Sequence, residues 1–104
     1  MDDVRHYTGT LVVDLHLRYA SSLKDRRQAL RSLVQRLQNH HVSVAQIGPV
    51  DLQQRAFLAV AVVAGSRARL DELLDSAERI IFAGDFEVAD LRRLTHQDSF
   101  TSGG

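Results

Sequence analysis

Five histidines, a scatter of carboxylates and no cysteine set the chemistry open to this chain of 104 residues. Without a thiol there is no disulfide framework, no thiolate zinc site and no cysteine nucleophile. Transition-metal binding would fall to the histidines. His40 and His41 are adjacent, so their rings point at different targets, and His6, His16 and His96 stand alone without metal-ligand spacing. They read as surface or loop residues. Asp14, His16 and Arg18 project from one face of a strand, and Ser43 is a serine that could lie beside them. A carboxylate and an imidazole two residues apart can be neighbours there, but no glycine-framed serine elbow, oxyanion loop or second carboxylate accompanies them. The segments Gly48-Pro49-Val50-Asp51 and Ala64-Gly65-Ser66-Arg67 are turns without phosphate-loop or dinucleotide spacing. No catalytic residue, metal, cofactor or small-molecule substrate is expected.

Charge carries more information. Thirteen basic and thirteen acidic side chains cancel, so no global field draws the protein to nucleic acid. Between Arg18 and Arg36, however, six basic residues face the single acid Asp25, a local net of +5, and between Asp71 and Asp90 seven acids face the single base Arg79, a net of −6. The basic group centres on Lys24, Arg26, Arg27 and Arg31. At about 100° per helical residue, counted from Leu23, Lys24 and Arg31 fall near 80–100° and Arg27 near 40°, a stripe beside the apolar face. Arg26, at about 300°, falls among the apolar positions, so its guanidinium must snorkel outward or meet an acid such as Asp51. One account has the basic helix lying beside the acidic one, each complementing the other. In the other, all four cations contact nucleic-acid phosphates, helped by helix N-terminal amides that favour anions.

The elements that position these residues follow from periodicity. Thr10 to Arg18 alternates, with Leu11, Val13, Leu15 and Leu17 on one face, as a half-buried strand does. Ser22 caps a helix to about Asn39, Asp25 completing a capping-box-like pattern. Val42 to Ile47 is a short strand, and Phe57 to Ala64 an apolar run that reads as a central one. Ser66 caps a second helix with Leu70, Leu73, Leu74, Ala77 and Ile81 toward the core; it ends at Ala83-Gly84, where glycine can turn left-handed. Phe86 to about Leu94 supplies the fourth strand.

That order predicts an α+β, ferredoxin-like βαββαβ two-layer sandwich, a four-stranded antiparallel sheet with both helices on one face and strands one and three central. A single domain over residues 1–94 is expected, followed by a polar, largely disordered tail over 95–104. The composition, 44% hydrophobic and 25% charged, is that of a chain that folds. The N-terminus lacks a secretory h-region, and no segment reaches the roughly 20 apolar residues that span a bilayer, so a cytoplasmic protein with no membrane partner is expected. Both faces of strand three are apolar, although helices cover only one. The candidate cover is a second copy, with Phe57, Leu58, Val60 and Val62 as dimer-face candidates. Base stacking there is disfavoured, since no basic-aromatic signature accompanies Phe57.

The runs Ser22-Leu23-Lys24-Asp25-Arg26-Arg27, Val42-Ser43-Val44-Ala45-Gln46-Ile47 and Asp51-Leu52-Gln53-Gln54-Arg55-Ala56 resemble the YlxP-like family of small bacterial proteins, over about Thr10 to Leu94. Gln46 stands where that family usually has an acid and Gln53 where it usually has a tryptophan. The resemblance implies a ferredoxin-like fold. It also implies, by the common gene neighbourhood with transcription elongation, translation initiation and ribosome-binding factors, a role near RNA or ribosome maturation. A non-enzymatic accessory protein binding structured RNA or the small ribosomal subunit through Lys24, Arg26, Arg27 and Arg31 is the first expectation. A homodimeric protein-interaction or structural module is the second.

Overall fold

The computed structural model describes residues 3–101. Six elements follow one another: β1 (Asp3–His16), α1 (Leu23–Gln38), β2 (Ser43–Ile47), β3 (Arg55–Ala64), α2 (Arg67–Ala83) and β4 (Glu87–Thr101). The strands form one antiparallel sheet in the order β2-β3-β1-β4, which makes β1 and β3 central as expected. This is the ferredoxin-like arrangement. Period-two alternation decides which residues the helices cover: Leu11, Val13 and Leu15 of β1, and Ala56, Leu58 and Val60 of β3, are fully buried against Leu30, Leu33 and Leu37 of α1 and Leu70, Leu74 and Ile81 of α2. No helix among the described residues is long and apolar enough to cross a membrane.

Local signals fix both helix starts. Ser22 and Ser66 are extended N-caps whose hydroxyls accept from the amides of Asp25 and Arg69 at 3.1 Å each. Gly84, however, is extended at φ −76°, ψ 171°, not left-handed as anticipated. A Cβ at this position would stand 2.9 Å from a Phe86 ring carbon, so the glycine serves close approach. Gly9 does the same where α2 crosses β1, a Cβ there falling 2.6 Å from a Leu74 methyl.

The largest departure lies in the outer strands. β1 starts at Asp3, not near Thr10, and β4 continues to Thr101, so the boundary expected at Leu94 falls inside a strand and residues 95–101 are not a loose tail. Residues 102–104 of that tail, and the N-terminal pair 1–2, lie outside the described residues. The extension was hidden because its residues do not alternate: from Val4↔Phe100 to Tyr7↔Gln97 the two strands are tied by the backbone ladder, not by a shared apolar face. A shift in register at Asp14/Leu15 leaves Ala89 as the extra residue of a bulge, and lets Val88 and Leu91 both face the core across three positions.

One group of expected interface residues must be corrected. Leu58, Val60 and Val62 lie under the helices, at most 6% exposed, and are core. Phe57 points to the opposite, uncovered face, where it shares the strand with Ala59, Ala61 and Val63.

Candidate nucleic-acid interface

The start of α1 meets the β1–α1 and β2–β3 loops at one end of the sheet, and hydrogen bonds join all three. The Leu17 amide donates to the Gln54 carbonyl at 2.9 Å, and the Gln54 side-chain amide donates to the carbonyls of Arg18 and Ala20 at 3.3 Å each. Arg26 Nε donates to the Arg55 carbonyl at 3.3 Å and its Nη2 to the Pro49 carbonyl at 3.2 Å. Two of the runs that carry the family resemblance, Ser22 to Arg27 and Asp51 to Ala56, thus hold each other in place. Arg26 is only 3% exposed. It neither snorkels nor meets Asp51, and it leaves the set of phosphate-binding candidates because burial keeps its guanidinium from any ligand outside.

Arg55 works on the other side of the sheet. Its Nε and Nη2 donate to the two Asp14 oxygens at 3.1 and 2.8 Å, and its guanidinium carbon lies 4.9 Å from the Phe57 ring centre. The Arg55 hydrogen bond holds the Asp14 carboxyl below the usual carboxylate range, with the charge of His16 a smaller contribution. His16 Nε2 does stand 4.0 Å from Asp14 as the strand alternation implies, but the carboxylate belongs to Arg55. Arg18 pairs with Glu87. Arg55 and Gln54 were not picked out from sequence as site residues; their partners lie 41 and 34–36 positions away, beyond any local pattern.

Lys24, Arg27 and Arg31 differ from Arg26 in every respect. All three are exposed on α1, at spacings of three and four that align them along one flank. None of them forms a salt bridge or side-chain hydrogen bond among the described residues, and Lys24 adds only its field to Asp25. The acidic helix does not neutralise them. Asp71 pairs with Arg67, Glu72 with Arg69, and Asp75 and Glu78 both with Arg93 of β4. The complementary-helix account therefore fails for these residues: α2 takes its cations from its own first turn and from β4. The helix N-terminus contributes less than anticipated, because Asp25 is an anion already in place over it. Its carboxylate accepts from the Ser21 hydroxyl at 2.7 Å and amide at 3.1 Å, which lowers its pKa.

The opposite flank of α1 borders a cleft of about 750 Å³ lined by Leu17, Ala20, Ala29 and Phe86, with Arg36 and Glu87 at its rim. Of the carboxylates that line it, Asp25 is held by Ser21 and Glu87 by Arg18, and Asp85 is the third.

Three solved structures are similar to parts of this chain to differing degrees. The de novo designed protein Foldit4 aligns over 86% of this chain and 96% of its own at 11% identity with a TM-score of 0.50. The de novo designed protein Ferredog-Diesel aligns over 84% and 83% at 11% identity and a TM-score of 0.49. A crystal structure of an amidase of the hydantoinase/carbamoylase family from Burkholderia multivorans aligns over 95% of this chain and 28% of its own, at 13% identity and a TM-score of 0.45. At 11% identity the likeness to Foldit4 speaks for the fold alone. No curated protein matches. One family model, described as a protein of unknown function, DUF503, matches residues 8–93.

Proposed function

From the premise that the chain belongs to the DUF503 family, whose function is unknown, we propose that it is a non-enzymatic accessory protein that binds structured RNA, with the small ribosomal subunit as the candidate target. The observation that carries this reading is the flank of α1 on which Lys24, Arg27 and Arg31 stand exposed and, among the described residues, without a carboxylate partner. Three such cations over about 10 Å of helix match a run of phosphates and cost little desolvation when one arrives. With no net charge on the chain, attraction acts only within roughly 8 Å of the patch, the Debye length at physiological salt. Binding is then short-ranged and strongly salt-dependent. The YlxP-like resemblance, with its gene neighbourhood among translation and ribosome factors, supports the same direction by association.

Co-sedimentation with small ribosomal subunits and with total RNA, at low and moderate salt, tests the reading. The wild-type chain is expected in the pellet at low salt and less so at moderate salt, and the folded variant Lys24→Glu/Arg27→Glu/Arg31→Glu is expected in the supernatant at both. Equal pelleting of the variant, or no pelleting of the wild type, refutes it.

A further inference from the structure

The sheet has one face beneath α1 and α2 and one face bare. The bare face is small or apolar at its centre, with Ala59, Ala61, Val12, Val63 and Leu94; Val63 and Leu94 are 71% and 72% exposed. Most of its charges are matched in plane, Asp14 by Arg55 and Asp90 by Arg92 at 3.2 Å, while Asp98, opposite His6 on the ribbon, accepts from the Ser99 amide at 2.8 Å. The face also runs past the domain. β3 begins to pair with β1 only at Tyr7, so residues 3–6 pair, among the described residues, with β4 alone as a two-stranded ribbon. On the bare side of that ribbon Val4 and Phe100 sit directly opposite each other, 59% and 62% exposed. A two-stranded ribbon is marginal in water unless something packs against it.

We infer that a second copy of this chain closes this face, in a two-fold, sheet-to-sheet dimer in which each ribbon lies across the partner's sheet. Strand spacings of ~4.8 Å and ~3.4 Å per residue give the face about 700 Å², close to the ~800 Å² that each partner contributes to a standard interface. In-plane pairing leaves little net charge for an oppositely charged partner to read. A two-fold axis sets one apolar patch against its own copy, with the ribbon's Val4 and Phe100 directed toward the partner's sheet. Both α1 helices then face outward, so the dimer neither needs nor blocks the RNA surface.

Sedimentation equilibrium decides it. The wild-type chain is expected at about twice its 11.6 kDa mass at micromolar concentration. Val63→Lys/Leu94→Lys, at positions the monomer leaves in water, is expected to sediment as a monomer with an unchanged far-UV spectrum, its dissociation constant raised at least about thirtyfold. Val4→Ser/Phe100→Ser is expected to weaken the dimer too. Should the lysine pair fail to fold, Thr10→Arg, exposed on the same face, supplies the same test. A wild-type monomer at hundreds of micromolar overturns the inference, as does a dimer that survives both face variants, which would place the contact on a sheet edge. The α1 triple reversal is expected to dimerise like wild type, which separates this result from the RNA reading.

Discussion

Arg26 and Arg27 are sequence neighbours with opposite fates, and the difference comes from where each projects on one helix. The angular position of Arg26 among leucines was legible in the sequence. Its partners were not, because the Pro49 and Arg55 carbonyls come from a loop and strand 23 and 29 residues away. Hydrogen bonds from a charged group contribute about 1.5–3 kcal/mol each, so Arg26→Ala is expected to lower stability by about 2–3 kcal/mol in urea titrations, with RNA affinity of the folded protein unchanged. Asp14 contributes to the acid limb of stability. Its carboxyl is depressed in the folded state, mainly by the Arg55 hydrogen bond, so the unfolded chain binds that proton more readily. The stabilisation is complete above the ordinary aspartate value of about 3.9 and is lost as pH falls through the lower folded value. Asp25, depressed by Ser21, acts in the same direction. Between neutral pH and about pH 3, Asp14→Asn is expected to lose less of its urea midpoint than wild type; an equal loss would remove Asp14 from the acid response.

At the scale of elements, the helices were the most readable part, since a serine cap followed by a 3.6-residue apolar rhythm specifies start, face and length together. Ser22→Ala and Ser66→Ala are each expected to cost about 1 kcal/mol in thermal or urea unfolding. The outer strands were half legible. Core alternation marks β1 from Leu11, but the ribbon beyond it has no core to face, and the Ala89 bulge breaks the period of β4 where Val88 and Leu91 turn inward. Gly9 lacked a sequence signal as well, because its neighbour Leu74 lies 65 positions on. Gly9→Ala pushes a methyl into Leu74 and is expected to destabilise by about 1–3 kcal/mol, read as a shift in urea midpoint at constant slope.

The whole molecule keeps its charges apart. α1 lies toward β2 at one edge of the sheet, while Asp75 and Glu78 of α2 reach Arg93 on β4 at the other, so the two charged helices do not neutralise each other. Composition revealed the segregation, but only the packing reveals which cations stay without a partner. It reduced four candidates to three, since Arg26 is buried, and it left less for the helix terminus to add, since Asp25 already sits over it. The apolar excess of β3 was likewise visible in sequence, whereas the division between core and bare face depended on one strand's register: Leu58, Val60 and Val62 went inward and Val63 outward.

The central claim is that Lys24, Arg27 and Arg31 neutralise RNA phosphates, and the salt dependence of RNA affinity tests it most directly. Each phosphate contact contributes about 0.7–0.9 to the slope of log K against log salt. The account predicts that the Lys24→Glu/Arg27→Glu/Arg31→Glu variant flattens the wild-type slope by at least about 2 while Arg26→Ala leaves it intact. A slope that is the same in wild type and triple variant would contradict it.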